Sequence, residues 1–425
     1  MRSVIVLSLC SLLTLCACGS SESSKEFLPS LSKQGNINIL RLVGTPYEMG
    51  LQHGELMAAE IQDLANFTVE DQGYSLLLAV AETSGLTDMA LVFSYQDVLD
   101  ECRGMVEATD DASVTNWNYR KCVTAASLLV VLENTVGWTQ GCSQFIATGA
   151  ATKDGEMIHA RNLDWPPIPP LVDHPTLIVR RPEGRAAYVE IGLPGVAFSL
   201  SAINENGLVT SINECTADTD RDEEGASHPQ MARQAQQDFT SIAEIESFLK
   251  DQNHATAETL VVSDWSTGEA AVFEMSANHI GVRKISAEGV LYATNHFAHP
   301  DMEAIHQERL EDHDTRTRYL RLEQLLEPGG TDSLYGQIDP AVAISILRDT
   351  YNPYTQETHP PDLIDGGGSI GNNGAVHSMI FLPKKRVFYV SMGEQPIPPA
   401  TFVGFSLDEL LEKEGTQAPQ PAVYE

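Results

Sequence analysis

From about residue 47 to 136, apolar positions recur at the three-to-four-residue spacing of a helix face, and from Cys142 onward the repeat changes. Met49, Met57, Ile61 and Leu64 fall along one face of a helix that starts at Thr45-Pro46-Tyr47-Glu48, where the fixed φ of proline suits a first turn. Further helical patterns cover 74–83, 95–109 and 119–132. Beyond Cys142, apolar runs 143–152 and 156–162 flank Lys153-Asp154-Gly155, an Asp-Gly hairpin signal. Similar runs pair around Pro182-Glu183-Gly184, Asn204-Glu205-Asn206-Gly207, Ser266-Thr267-Gly268 and Pro383-Lys384-Lys385. Between them, Ser241-Ile242-Ala243-Glu244 is a capping box before the apolar positions 245–249, and 315–326 and 340–350 are amphipathic. Hairpins interrupted by a few helices predict an α+β arrangement, antiparallel sheets covered by helices, with the N-terminal helical region as an arm packed on them. No internal repeat is present.

Composition sharpens this picture at two points. The 425 residues carry 59 acidic and 26 basic side chains, a formal charge of -33. Such a surface repels phosphate and argues against nucleic-acid partners; adaptation to salty surroundings and an acidic functional patch both fit it. At the N-terminus, Arg2 precedes an apolar run from Val4 to Leu15 that is too short to span a bilayer, followed by Leu15-Cys16-Ala17-Cys18-Gly19. This resembles a bacterial lipoprotein signal: 1–17 would be removed and Cys18 lipidated, anchoring the protein to the cell envelope. An ordinary secretory signal is the alternative. The Ser-rich stretch 18–34 reads as a flexible tether.

Seven cysteines fall to five once such a signal is removed. An exported compartment permits disulfides, and Cys102 with Cys122 is the plausible pair within the arm. Cys142 and Cys215 remain, each either a small buried hydrophobe or a working thiol.

The chemistry concentrates in Gly141-Cys142-Ser143-Gln144-Phe145, followed by His159-Ala160-Arg161-Asn162-Leu163-Asp164-Trp165. A cut between Gly141 and Cys142 would give one residue both a thiol and a free α-amine, hence nucleophile and base together. The passage resembles the N-terminal nucleophile hydrolases of the acyl-coenzyme A:6-aminopenicillanic acid acyltransferase family, related to choloylglycine hydrolases and acid ceramidase. The likeness extends to Thr45-Pro46-Tyr47-Glu48-Met49-Gly50 with Gln52-His53-Gly54, and to Asn204-Glu205-Asn206-Gly207-Leu208 leading to Asn213. It continues through Ala293-Thr294-Asn295-His296-Phe297, Thr317-Arg318-Tyr319 and His377-Ser378-Met379-Ile380-Phe381.

This resemblance implies a four-layer αββα sandwich and self-cleavage at Gly141-Cys142. It divides the chain into a helical arm or propeptide, 35–141, and a β chain, 142–425, that stay together without a covalent link. Cys142 would attack a linear amide of an apolar acyl group and form a thioester. Asp164 would hold the α-amine, and Arg161 would favour the thiolate and balance Asp164; a structural ion pair is the alternative for these two. Asn295 by its side chain and Asn213 by its backbone N–H would stabilise the oxyanion, or both are turn asparagines. Arg318 would steady the site, with Arg316 and Arg321 as competitors. Gly141 would tolerate a strained backbone.

Other motifs carry less. Gly367-Gly368-Ser369-Ile370-Gly371 matches a serine nucleophile elbow but sits between Pro360-Pro361-Asp362 and Asn372-Asn373-Gly374, a loop context. His296 with His299, and His306 with His313, lack the context of a metal site, and no cofactor-binding glycine loop occurs. Trp138, Trp165 and Phe145 either line an acyl pocket or belong to the core. Two rival functions remain open: an ester-cleaving relative resembling phospholipase B-like proteins, and a surface lipoprotein that only binds a ligand.

Overall fold

The computed structural model describes residues 27–127, 130, 141–165, 168–215, 220, 222, 224–306, 312–360, 368–413 and 419–425. The signal segment with Cys18 and the residue Trp138 lie outside the described residues.

The strands are β1 (Ser30–Gln34), β2 (Ile37–Gly44), β3 (Cys142–Ala147), β4 (Ile158–Asp164), β5 (Thr176–Pro182), β6 (Tyr188–Gly192), β7 (Ser201–Asn204), β8 (Leu208–Glu214) and β9 (Glu258–Asp264). They continue with β10 (Glu269–Met275), β11 (Ile280–Lys284), β12 (Val290–Ala293), β13 (Tyr351–Asn352), β14 (Glu357–Thr358), β15 (Ala375–Leu382), β16 (Val387–Met392), β17 (Phe402–Ser406) and β18 (Val423–Tyr424). One sheet runs β1-β2-β5-β6-β7-β8-β9-β10-β11 and the other β12-β3-β4-β15-β16-β17-β18. Each hairpin expected around the four turns after residue 180 is a paired antiparallel set. The Asp154-Gly155 connection is looser than a two-residue hairpin: β3 ends at Ala147 and β4 starts at Ile158. Lys153 N–H donates instead to the Ile338 carbonyl at 3.0 Å, so the loop is tied to another part of the chain.

The helices are α1 (Pro46–Leu56), α2 (Ala58–Glu70), α3 (Gln72–Ser84), α4 (Leu86–Phe93), α5 (Gln96–Asp111), α6 (Tyr119–Ala126) and α7 (Pro169–Asp173). They continue with α8 (His228–Asp238), α9 (Ile242–Lys250), α10 (Pro300–Glu303), α11 (Asp312–Leu326), α12 (Pro340–Leu347) and α13 (Leu407–Leu410). Capping boxes close the starts of α1 at Thr45 and Glu48 and of α9 at Ser241 and Glu244, as their sequences dictate. The arm is not purely helical, because β2 joins the first sheet parallel to β5. The segment read as a tether is also ordered at its end: Ser30–Gln34 pairs with β2, and Phe27 is buried with the Arg181 guanidinium 4.5 Å from its ring centroid. An apolar anchor and a strand ladder hold down what Ser-rich composition alone leaves free.

Alternation along the strands sorts the side chains into layers. Leu177, Val179, Ile203 and Val209 of the first sheet meet Met379, Phe381, Phe388 and Val390 of the second in one buried cluster, so the sheets pack face to face. On the outer face of the second sheet, Phe145, Ala160 and Ile380 pack under Leu322 and Leu326 of α11 and Ile344 of α12. On the outer face of the first, Leu260, Val262 and Phe273 lie under α8 and α9, and Leu40 and Ile178 lie under the N-terminal helices. The order helix, sheet, sheet, helix is the expected αββα sandwich.

A buried ion network fixes the arm to the sheet. Glu101 of α5 receives Arg180 of β5 at 2.7 Å and Arg233 of α8 at 2.6 Å, while Arg180 also meets Glu190 at 2.7 Å. Burial works against the Glu101 charge, but the two guanidinium groups override it and hold the carboxyl well below its usual range. His53 accepts the Gly195 N–H at 3.1 Å and so ties α1 to the loop before β7. Cys102 and Cys122 form a disulfide joining α5 to α6.

Candidate active site

Strand alternation decides which groups can meet Cys142. Register pairs Cys142 with Leu163 and Gln144 with Arg161, so these four side chains point between the sheets. Asn162 and Asp164 point the other way, toward α11 and α12. The pairing thus splits the Arg161-Asn162-Leu163-Asp164 run into two environments, and among the described residues no ion pair joins Arg161 to Asp164. Asp164 feels Arg318 on the helix side most strongly and Arg161 more weakly.

Arg161 is fully buried. One nitrogen donates to the Leu200 carbonyl and Ser201 Oγ, and the other to the Ile212 carbonyl and to Cys142 Sγ at 3.4 Å. Its partners are therefore neutral oxygens and the thiol, with no carboxylate within 4 Å among the described residues. A buried cation without a carboxylate favours an anion at the one partner able to become one, the sulfur. Burial nevertheless pushes the Cys142 thiol above its ordinary value against the pull of Arg161 and Arg318. The resting sulfur is a thiol, and its proton must leave during attack.

The backbone of Cys142 is held from the opposite side. Its N–H donates to Asn295 Oδ1 at 2.6 Å, and Arg318 of α11 donates to its carbonyl, to Ser143 Oγ at 3.0 Å and to Asn295 Oδ1 at 3.0 Å. Two donors on one atom fix the orientation of the Asn295 amide, with oxygen toward Cys142. Its nitrogen donates to the Glu214 carbonyl at 3.0 Å. In the continuous chain Asn295 therefore grips the Cys142 nitrogen with its oxygen, and one of its two N–H donors is engaged by the Glu214 carbonyl. Asp314, one turn before Arg318, accepts from its guanidinium at 3.1 Å. Arg321 instead pairs with Asp332 and Asp349, and among the described residues Arg318 is the one of the three with a hydrogen bond to Cys142.

The Asp164 carboxyl is buried; its Oδ2 accepts from Asn372 Nδ2 at 3.0 Å, and Oδ1 has no hydrogen-bond partner among the described residues. Burial pushes it up to about 7, against Arg318 and Asn372. Its backbone N–H donates to the Gly141 carbonyl at 2.7 Å. A Cβ on Gly141 would stand 2.7 Å from Asp164 Oδ2 and 3.0 Å from Asp164 Cβ. Close approach, not a left-handed φ, is what requires glycine there. The carbonyl expected to be cut thus accepts the Asp164 N–H, and the Asp164 carboxyl packs against the Gly141 Cα.

Asn213 does not join this group by its side chain, which accepts from Gln144 at 2.7 Å and donates to the Thr294 carbonyl at 2.9 Å. It braces the chain just before Asn295. Ser369 sits in a loop, where its hydroxyl donates to the Gly371 carbonyl at 3.1 Å. Sequence reasoning missed Asn372, Ser201 and Asp314. Only Asn372, in an Asn-Asn-Gly turn after a glycine-rich loop, carried a signal of a special backbone.

A narrow apolar cleft with a volume of about 60 Å³ lies beside this centre. Trp165, Ile168, Leu171, Val196 and Phe198 wall it and belong to the same packed cluster as Cys142 and Leu163. Phe67 of α2, Tyr74 of α3 and Ala125 of α6 close it from the arm. Of the aromatic residues left open between pocket and core, Trp165 lines the cleft, whereas Phe145 is core beneath α11 and α12.

A family model described as acyl-coenzyme A:6-aminopenicillanic acid acyl-transferase matches residues 150–395, more than half of the chain. An uncharacterised protein of Archaeoglobus fulgidus is 25% identical over 272 residues, 58% of this chain and 44% of its own length, so the chain spans less than half of that relative. Among solved structures, a Caenorhabditis elegans N-acylethanolamine-hydrolyzing acid amidase ortholog is similar at TM-score 0.40 and 16% identity, covering 57% of this chain and 93% of its own. A penicillin V acylase from Agrobacterium tumefaciens is similar at TM-score 0.38 and 14% identity, covering 65% and 90%.

Proposed function

The chain belongs to the acyl-coenzyme A:6-aminopenicillanic acid acyl-transferase family, and from that premise we propose that it is a self-processing cysteine amidohydrolase. The reading rests on one observation: Cys142 carries Arg161 on its sulfur and Asn295 on its nitrogen, and it packs in one cluster with the walls of an apolar cleft. In maturation, Sγ attacks the Gly141 carbonyl carbon, the Gly141–Cys142 C–N bond breaks, and the nitrogen leaves as an amine carrying the thiol proton. Water then opens the resulting thioester and releases the Gly141 carboxylate. The Asp164 N–H on the Gly141 carbonyl supports this step by stabilising negative charge on that oxygen.

In the mature site the freed α-amine takes the thiol proton, and Asn295 Oδ1 holds that amine in place. Sulfur adds to the substrate carbonyl, the C–N bond breaks, and the leaving amine takes the proton away. Water hydrolyses the acyl thioester to the free acid and restores the thiol. The cleft suits an apolar acyl group. The Cys102–Cys122 disulfide fits an exported protein, and lipidation at Cys18 with anchoring to the envelope is part of this proposal. Intact-mass measurement tests the whole reading: wild-type protein should contain a chain beginning at Cys142, and Cys142→Ala should remain one chain. A wild-type preparation active on chromogenic amides yet uncut at Gly141 would defeat it.

A further inference from the structure

The acyl cleft continues past its apolar walls. Thr68, Leu78 and Lys121 line both the inner cleft and a second, outer groove between α2, α3, α4 and α6. The outer groove is more polar: Ser75, Thr87, Asn118 and Thr124 line it together with the ion-paired Glu82 and Arg120. Lys121 stands at the junction and is the one charged side chain among the described residues of the inner lining. It shares the cleft-facing side of α6 with Ala125, four residues on.

The setting of this ammonium is unusual in a chain with 59 acidic and 26 basic residues. Its neighbour Arg120 is paired with Glu82 at 2.9 Å and Asp88 at 2.8 Å. Lys121 has no carboxylate within 4 Å among the described residues, and its Nζ donates to the Asn116 carbonyl at 2.6 Å, leaving two donor positions. An acyl chain whose carbonyl sits at Cys142 and whose methylenes fill the inner cleft would pass this cation as it enters the outer groove.

We propose that the site is selective for amides of acyl chains that end in a carboxylate, and that Lys121 is the residue that reads the distal charge. This rests on the reading that the cleft takes the acyl part of an amide, and it adds the class of acyl group. A methyl-terminated chain would occupy the same walls but leave the ammonium without an anion. The simpler possibility, a lysine stem covering apolar surface, makes no distinction between the two chain ends.

Binding to Cys142→Ala protein tests this without requiring turnover. Titration calorimetry with straight-chain monocarboxylates and α,ω-dicarboxylates of matched, increasing length should find one length at which the dicarboxylate binds about tenfold tighter, the scale of a charge-assisted hydrogen bond. Adding Lys121→Met should abolish the difference, and adding Lys121→Arg should keep most of it. Equal affinities at every length, binding of neither acid, or a preference that survives Lys121→Met would overturn the proposal. The mass of wild-type protein reports separately on self-cleavage, so failure of one reading is distinguishable from failure of the other.

Discussion

Replacing Asp164 with Asn in a Cys142→Ala background removes a titration while keeping the shape of the side chain and leaving a single polypeptide. Burial raises the folded carboxyl to about 7, against an ordinary value of 3.8. Between these values the folded state keeps a proton that the unfolded chain has released. The stability contributed by Asp164 is therefore complete below the ordinary value and is lost as pH rises through about 7. The difference is worth about 4 kcal/mol against the ionised form. An asparagine pays no such penalty at any pH, and its Oδ1 retains an acceptor for Asn372. Urea midpoints of the two proteins at about pH 4, 6 and 8 should diverge steadily in favour of the Asp164→Asn protein, by several kcal/mol at the highest pH. Contributions from the net charge of -33 are nearly common to both proteins and largely cancel in the comparison. A stability difference that is the same at about pH 4 and 8 would refute the assignment of a raised, buried carboxyl.

Other perturbations read other parts of the design. Arg161→Met removes the donor on Cys142 Sγ and withdraws the guanidinium hydrogen bonds from the Leu200 and Ile212 carbonyls, so kcat/KM should fall by about 100-fold or more and the urea midpoint should drop; Arg161→Lys should rescue neither, lacking the fork. Gly141→Ala forces a methyl group against the Asp164 carboxyl, and intact-mass time courses should show slowed self-cleavage in a protein of near-normal stability. Glu101→Gln leaves Arg233 in the interior without a carboxylate and Arg180 with Glu190 alone, and should cost about 3–5 kcal/mol by chemical denaturation. Val196→Trp fills the inner cleft, and kcat/KM across amides of increasing acyl length should shift toward short chains.

Local signals carried far in this chain. The capping boxes at Thr45 and Ser241 and the turns after Pro182, Asn204, Ser266 and Pro383 each have a mechanism contained within a few residues, and each stands in the structure where that mechanism puts it. The tether boundary was less legible. Ser30–Gln34 is ordered by a β2 ladder and a Phe27–Arg181 contact more than 150 residues away in the chain, and composition contains neither.

What the sequence by itself determined is the chemistry available: a glycine before Cys142, an arginine and an aspartate on the following strand, asparagines and a helical arginine downstream. Tertiary structure alone decided who meets whom. The two-residue repeat of β4 sends Arg161 between the sheets to the sulfur and Asp164 outward to Asn372, where the sequence left a structural ion pair between them as an alternative. Docking of the arm on the sheet closes the cleft and stations Lys121 at its far end, because a pocket's walls are set by packing between segments that are remote in the chain.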